Sequence, residues 1–77
     1  MDCEAAIIGF FTGKGKRGDI RYDEDLFAGG FVDSLFALEI VVFLEETFKF
    51  RLKNKDITEE NFRTVSAIAE LVRKNVS

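Results

Sequence analysis

The chain has 77 residues, a net charge of −3, 47% hydrophobic residues, one cysteine and no histidine, proline or tryptophan. That length predicts one domain, residues 1–77, with a modest core; the missing histidine and lone Cys3 exclude Ser-His-Asp and Cys-His catalysis, internal disulfides and His-ligated metals, so neither catalytic nor metal-binding residues are assigned. Net acidity argues against nucleic-acid binding, the uncharged runs Ala5–Thr12 and Ile40–Leu44 fall short of the ~20 residues of a membrane span, and Met1-Asp2-Cys3-Glu4 lacks the basic start of a secretory signal, which together predict a cytoplasmic protein that is not an enzyme.

In chain order, Ala6, Ile7, Phe10 and Phe11 stand at the 3–4 spacing of one helix face, predicting a short helix over residues 2–11. Gly13 is placed to end it. Residues 13–32 then carry isolated apolar anchors (Ile20, Leu26, Phe27) without a sustained period and read as one long loop, a length that in so small a domain points to function. Asp33 is a good N-cap for an uninterrupted helix to Phe48, whose Ala37, Val41, Leu44 and Phe48 predict the core-facing stripe. Lys49 and Arg51 suit the negative end of its dipole. Residues 56–62 predict a turn or two of helix capped by Asp56 or Thr58. Thr64 then caps a last helix in which Val65, Ile68, Ala69 and Val72 repeat at i, i+3, i+4 and i+7. The fold class expected is all-α: a small bundle of three main helices and one short one, with a long first loop.

The second helix holds the informative features. Leu35, Glu39, Val42 and Glu46 fall at i, i+4, i+7 and i+11, a stripe apart from the core face that mixes large apolar and acidic side chains. Such a stripe suits docking of a basic, partly apolar partner; the competing reading is a rim packed under the long loop. Between residues 19 and 46 stand eight acids (Asp19, Asp23, Glu24, Asp25, Asp33, Glu39, Glu45, Glu46) and one base, Arg21, a local charge of −7. Lys14-Lys16-Arg17 precede this stretch and Lys49, Arg51, Lys53 and Lys55 follow it, so the chain is dipolar rather than mildly acidic. Ser34, within Asp33-Ser34-Leu35, occupies the first turn, where free N–H groups and the helix dipole favour an attached phosphate. A serine there is also a common helix-start residue. Cys3, in apolar and acidic surroundings, reads as a bystander.

From Leu26 to Val72 the chain resembles the acyl carrier protein family. The resemblance rests on Leu26-Phe27, Gly30, Asp33-Ser34-Leu35, Glu39, Leu44-Glu45-Glu46, Phe48, Phe62, Thr64-Val65, Ile68 and Leu71-Val72. It implies an acyl-carrier-like four-helix bundle, a likeness that makes Ser34 the attachment site of 4′-phosphopantetheine. By the same likeness a separate phosphopantetheinyl transferase, reading the adjacent Asp33, delivers the group from coenzyme A with Mg²⁺; Ser34 Oγ attacks the β-phosphate and adenosine 3′,5′-bisphosphate leaves. The resemblance further places Leu35, Glu39, Val42, Glu45 and Glu46 on the partner-binding surface of a monomer. Its implied partners are the transferase, a cargo-loading enzyme (an acyltransferase or adenylating ligase) and downstream synthase or tailoring enzymes.

Two residues, Phe31 and Val32, separate Gly30 from Asp33-Ser34, and Phe36 follows Leu35 where many fatty-acid carriers have an acid. With the Asp25-Leu26-Phe27 and 61–69 segments, this is more similar to discrete carriers of specialised pathways: those of polyketide and hybrid peptide extender units, or D-alanyl carriers. The expectation is a carrier in a polyketide or hybrid peptide pathway. The alternatives are a D-alanyl or other aminoacyl carrier and, from another class, a helical adaptor that binds a basic partner and carries no cargo.

Overall fold

A computed structural model describes residues 3–15 and 20–76, folded as three α-helices with no strand among the described residues. The helices are α1 (Cys3–Gly13), α2 (Ser34–Phe48) and α3 (Val65–Val76). Asp2, expected to begin the first helix, and Lys16, Arg17 and Asp19 of the expected charge pattern lie outside the described residues. The expected short helix at residues 56–62 takes a tighter form: a 3₁₀ turn at Asn54–Asp56, then a turn in which the Phe62 N–H donates to the Thr58 carbonyl (3.3 Å) and the Asn61 N–H to Thr58 Oγ1 (3.1 Å).

The core forms where the three helices and the long loop meet. Ile7 and Phe11 from α1, Phe36, Ile40 and Leu44 from α2, Phe62, and Val65, Ile68, Ala69, Leu71 and Val72 from α3 are buried. The α3 face matches the sequence spacing residue for residue, and Thr64 Oγ1 caps it by accepting the Ala67 N–H (2.9 Å). The α2 face is rotated from expectation. Of the predicted stripe only Leu44 is buried; Ala37, Val41 and Phe48 are half-buried, and Phe36-Ile40-Leu44, at i, i+4 and i+8, is the innermost line. The cause is aromatic. Phe36 meets Phe11 edge to face at 5.3 Å and stacks on Phe10 at 5.7 Å, while Phe10 stacks on Phe43 at 4.4 Å. Each such pair is worth about 0.5–1.5 kcal/mol beyond its buried area, so α2 turns to present Phe36 and Phe43 to α1.

One ion pair ties the chain's ends together. Arg73 Nη2, on α3, donates to both oxygens of Glu4 on α1, at 2.7 and 2.8 Å. That hydrogen bond to Glu4 raises the guanidinium pKa above its ordinary value.

The long loop is held as the sequence anchors predict. Ile20 and Leu26 are buried and Phe27 half-buried, and Phe31 and Val32 join them in the core. Its backbone is sewn to the start of α3, with the Leu26 N–H on the Arg63 carbonyl (2.7 Å) and the Ser66 N–H on the Tyr22 carbonyl (3.0 Å).

Candidate functional site

The loop before α2 is a compact turn that delivers Ser34 to the surface. Asp25 Oδ1 accepts the Phe27 and Ala28 N–H groups at 3.1 and 2.9 Å, and the Asp25 carbonyl accepts the Gly29 N–H at 2.9 Å. Gly30 follows in the left-handed region (φ 78°), which glycine adopts at little cost. A Cβ on Gly29 would stand 2.9 Å from the Phe31 ring, so the close return of the chain also needs a glycine. The Phe31 and Val32 N–H groups then converge on the Leu26 carbonyl, at 2.9 and 3.1 Å, and both side chains turn into the core. Burial of Phe31 and Val32 leaves Asp33-Ser34-Leu35 outside.

Asp33 is the N-cap. Its backbone is extended (φ −124°, ψ −177°) and Oδ1 accepts the Phe36 N–H at 2.8 Å. Ser34 is the first helical residue and is exposed, and its hydroxyl makes no hydrogen bond to any described residue. The cap occupies the Phe36 N–H and the Asp33 carbonyl takes the Ala37 N–H (2.9 Å), which leaves the Ser34 and Leu35 N–H groups open toward solvent. A phosphodiester on Ser34 Oγ would have two backbone donors and the positive end of a 15-residue helix beside it. A groove of about 260 Å³ opens next to the hydroxyl, lined by Phe27, Ala37, Leu38, Ile57, Thr58, Glu59 and Phe62. Its mainly apolar walls fit a slender arm leaving Ser34. The residues present fit a phosphopantetheine group.

Along α2 the apolar part of the predicted stripe is open: Leu35 is 73% exposed and Val42 53%. Leu38, absent from the sequence-based surface, is 57% exposed and lies between them while also lining the Ser34 groove. Its signal was available, since Leu38 stands three residues after Leu35 and four before Val42. The rim reading of Leu35 and Val42 does not hold at these exposures.

The acids divide into two kinds. Glu46 is exposed with no ion-pair partner among the described residues, and Glu39 is half-exposed but paired with Lys14 Nζ at 3.2 Å. Glu45 points elsewhere. Its Oε2 accepts the Leu52 N–H at 2.8 Å, its side chain is only 25% exposed, and Arg51 approaches it at 3.8 Å. Glu45 thus holds the loop after α2, while the stripe carries Glu39 and Glu46. Asp25 and Asp33 likewise spend an oxygen on backbone N–H groups. Three acids of the −7 stretch, Asp25, Asp33 and Glu45, thus hold local backbone in place as well as carrying charge. Among the described residues no group of His, Cys, Asp and Glu could hold a metal ion, and no helix is long and apolar enough to cross a membrane.

A family model described as "Phosphopantetheine attachment site" matches residues 12–72, a span that contains every residue of this site. A D-alanyl carrier protein of Streptococcus uberis is 39% identical over 56 residues, covering 73% of this chain and 70% of that protein. An acyl carrier protein of the Aster yellows witches'-broom phytoplasma is 42% identical over 59 residues, covering 77% and 70%. A D-alanyl carrier protein of Streptococcus pyogenes is 36% identical over 52 residues, covering 68% and 66%.

Proposed function

This chain belongs to the phosphopantetheine-binding family of carrier proteins, and on that premise we propose that Ser34 carries its 4′-phosphopantetheine. The observation that supports this assignment is the exposed, unbonded hydroxyl at the first residue of α2, within Asp33-Ser34-Leu35 and inside the matched span. Asp33 fixes the helix start and so the position of Oγ, and the open Ser34 and Leu35 N–H groups would hold the phosphodiester oxygens. When bound, the group supplies a thiol that holds cargo as a thioester. Nothing else in the site need be chemically active, in keeping with a family that is generally non-catalytic. The chain's own part is to present Oγ and to keep the first turn of α2 rigid. The tether then raises the effective concentration of cargo at each partner in turn.

Carriers of this family meet a phosphopantetheinyl transferase and loading or synthase enzymes. Here Leu35, Leu38, Val42, Glu39 and Glu46 form the surface such partners would read. An apolar ridge flanked by acids favours weak, salt-sensitive docking and rapid exchange. We place the protein in the cytoplasm, as a carrier in a specialised polyketide or hybrid peptide pathway. A second reading, aminoacyl carriage, is favoured by its similarity to proteins named D-alanyl carriers. Incubation with coenzyme A, Mg²⁺ and a broad-specificity transferase should add one phosphopantetheine to the intact mass, and Ser34→Ala should abolish the addition. An unmodified chain beside a working control carrier would defeat the proposal and restore the adaptor reading. The cargo is tested on the modified form, by loading with D-alanine, ATP and a D-alanine-activating ligase against malonyl-type extender units and their acyltransferase.

A further inference from the structure

A second groove, of about 320 Å³, lies on the α1 side of α2, lined by Phe10, Lys14, Glu39, Val42, Phe43 and Glu46. It does not include Ser34, and α1 lies outside the surface assigned above. Its apolar part is the stacked Phe10 and Phe43 rings (4.4 Å) with Val42 at the edge, and Glu39 and Glu46 supply two carboxylates on the same helix. Lys14, one residue past the end of α1, already occupies one of the two polar positions. Its ammonium stands 3.2 Å from Glu39 Oε1 and 5.6 Å from the centroid of the Phe10 ring. A cation there gains a carboxylate and an aromatic face together. The pair is half-exposed on both sides, the kind of contact that contributes little and exchanges readily. Glu46, seven residues on, has no such occupant among the described residues.

We propose that this groove extends the docking surface from α2 onto α1 and receives a partner-enzyme segment that presents an arginine or lysine beside an apolar side chain. Lys14 is the internal stand-in for that cation: the partner's charge displaces it from Glu39 while the apolar side chain settles against Phe10, Val42 and Phe43. Charge complementarity selects this occupant: among the described residues the lining carries two carboxylates against one cation, Lys14, and that cation is the group that has to move. Lys14 therefore weakens docking and speeds release, which suits a protein that passes between enzymes. The inference rests on the reading of α2 as the face that partners engage.

The test is binding of a broad-specificity phosphopantetheinyl transferase to chains in which Ser34 is replaced by alanine, measured by isothermal titration at low ionic strength. Coenzyme A is left out, so no covalent step occurs and the outcome is independent of which residue is modified, a question the mass assay answers separately. Lys14→Gln should tighten binding about 1.4- to 5-fold, the span of an exposed ion pair. The same change should have no effect once Glu39→Gln is present. Lys53→Gln, an equal charge change in the loop after α2, should leave affinity unaltered, and Val42→Ser, at an exposed position, should weaken it. The proposal is overturned if the transferase does not bind, if Lys14→Gln leaves affinity unchanged or lowers it, if its effect persists without Glu39, if Lys53→Gln reproduces it, or if Val42→Ser binds as well as its parent.

Discussion

Removing the Glu45 carboxylate separates the acids that build the fold from those that face partners. Glu45 Oε2 accepts the Leu52 N–H at 2.8 Å from a side chain only 25% exposed, and so fixes the chain as it leaves α2. A hydrogen bond to a charged group is worth about 1.5–3 kcal/mol, and a donor left unpaired costs about 1–3. Water reaches part of this site, so Glu45→Ala should cost about 1–2 kcal/mol. Arg51, 3.8 Å away and 92% exposed, adds nothing measurable. The whole domain is stable by roughly 4–12 kcal/mol, and each kcal/mol moves its melting temperature by about 4–8 °C, so a drop of roughly 5–15 °C is expected. Glu45→Gln, whose amide oxygen can still accept the Leu52 N–H, should fall between. Glu46→Ala should melt like wild type. Circular dichroism melts of the three variants decide the matter: if Glu45→Ala melts with wild type, or Glu46→Ala falls as far, the division of the acids is wrong.

Phe62→Ala, at a fully buried ring, should cost about 3–5 kcal/mol in urea unfolding, and the half-buried Phe48→Ala clearly less; the reverse order would contradict the core described. Lys49 ends α2 in the left-handed region (φ 58°, ψ 54°), so Lys49→Gly should stabilise by about 0.5–1 kcal/mol, and destabilisation would show that the side chain does more than cap. Asp33→Ala should cost about 0.5–2 kcal/mol through loss of the Phe36 N–H bond, while Asp33→Ser should retain most of the stability. The Glu4 bond raises the Arg73 pKa, so on the alkaline side that ion pair's share of stability is intact below the ordinary arginine value and is lost as pH rises through the raised one. With no histidine either, the melting temperature should stay level from pH ~6 to ~8, and a step there would reveal a titrating group other than Arg73 coupled to folding.

Where one helix has one buried face, the periodic pattern sufficed: Val65, Ile68, Ala69 and Val72 and the Thr64 cap all stand as their spacing requires. On α2 it did not, because Ala37, Phe36, Ile40, Val41, Leu44 and Phe48 offer two overlapping apolar stripes. The choice between them is made by Phe10 and Phe11 of another helix, more than twenty residues away in sequence. The Asp33 cap and the exposure of Ser34, Leu35 and Val42 were legible because cap chemistry and helical spacing are local. Leu38 lies outside the alternation of apolar and acidic residues that marks Leu35, Glu39, Val42 and Glu46, so that pattern does not single it out. The roles of Glu45 and Lys14 depend on where Leu52 and the end of α1 come to rest, and charge type alone carries no direction.

The decisive observation is which residue holds the phosphopantetheine. The modified protein, digested and fragmented in a mass spectrometer, should carry the added mass on Ser34 alone, with Ser66 and the chain's threonines unmodified. Modification at Ser66, or at any residue other than Ser34, would contradict the assignment even in a protein that accepts the group.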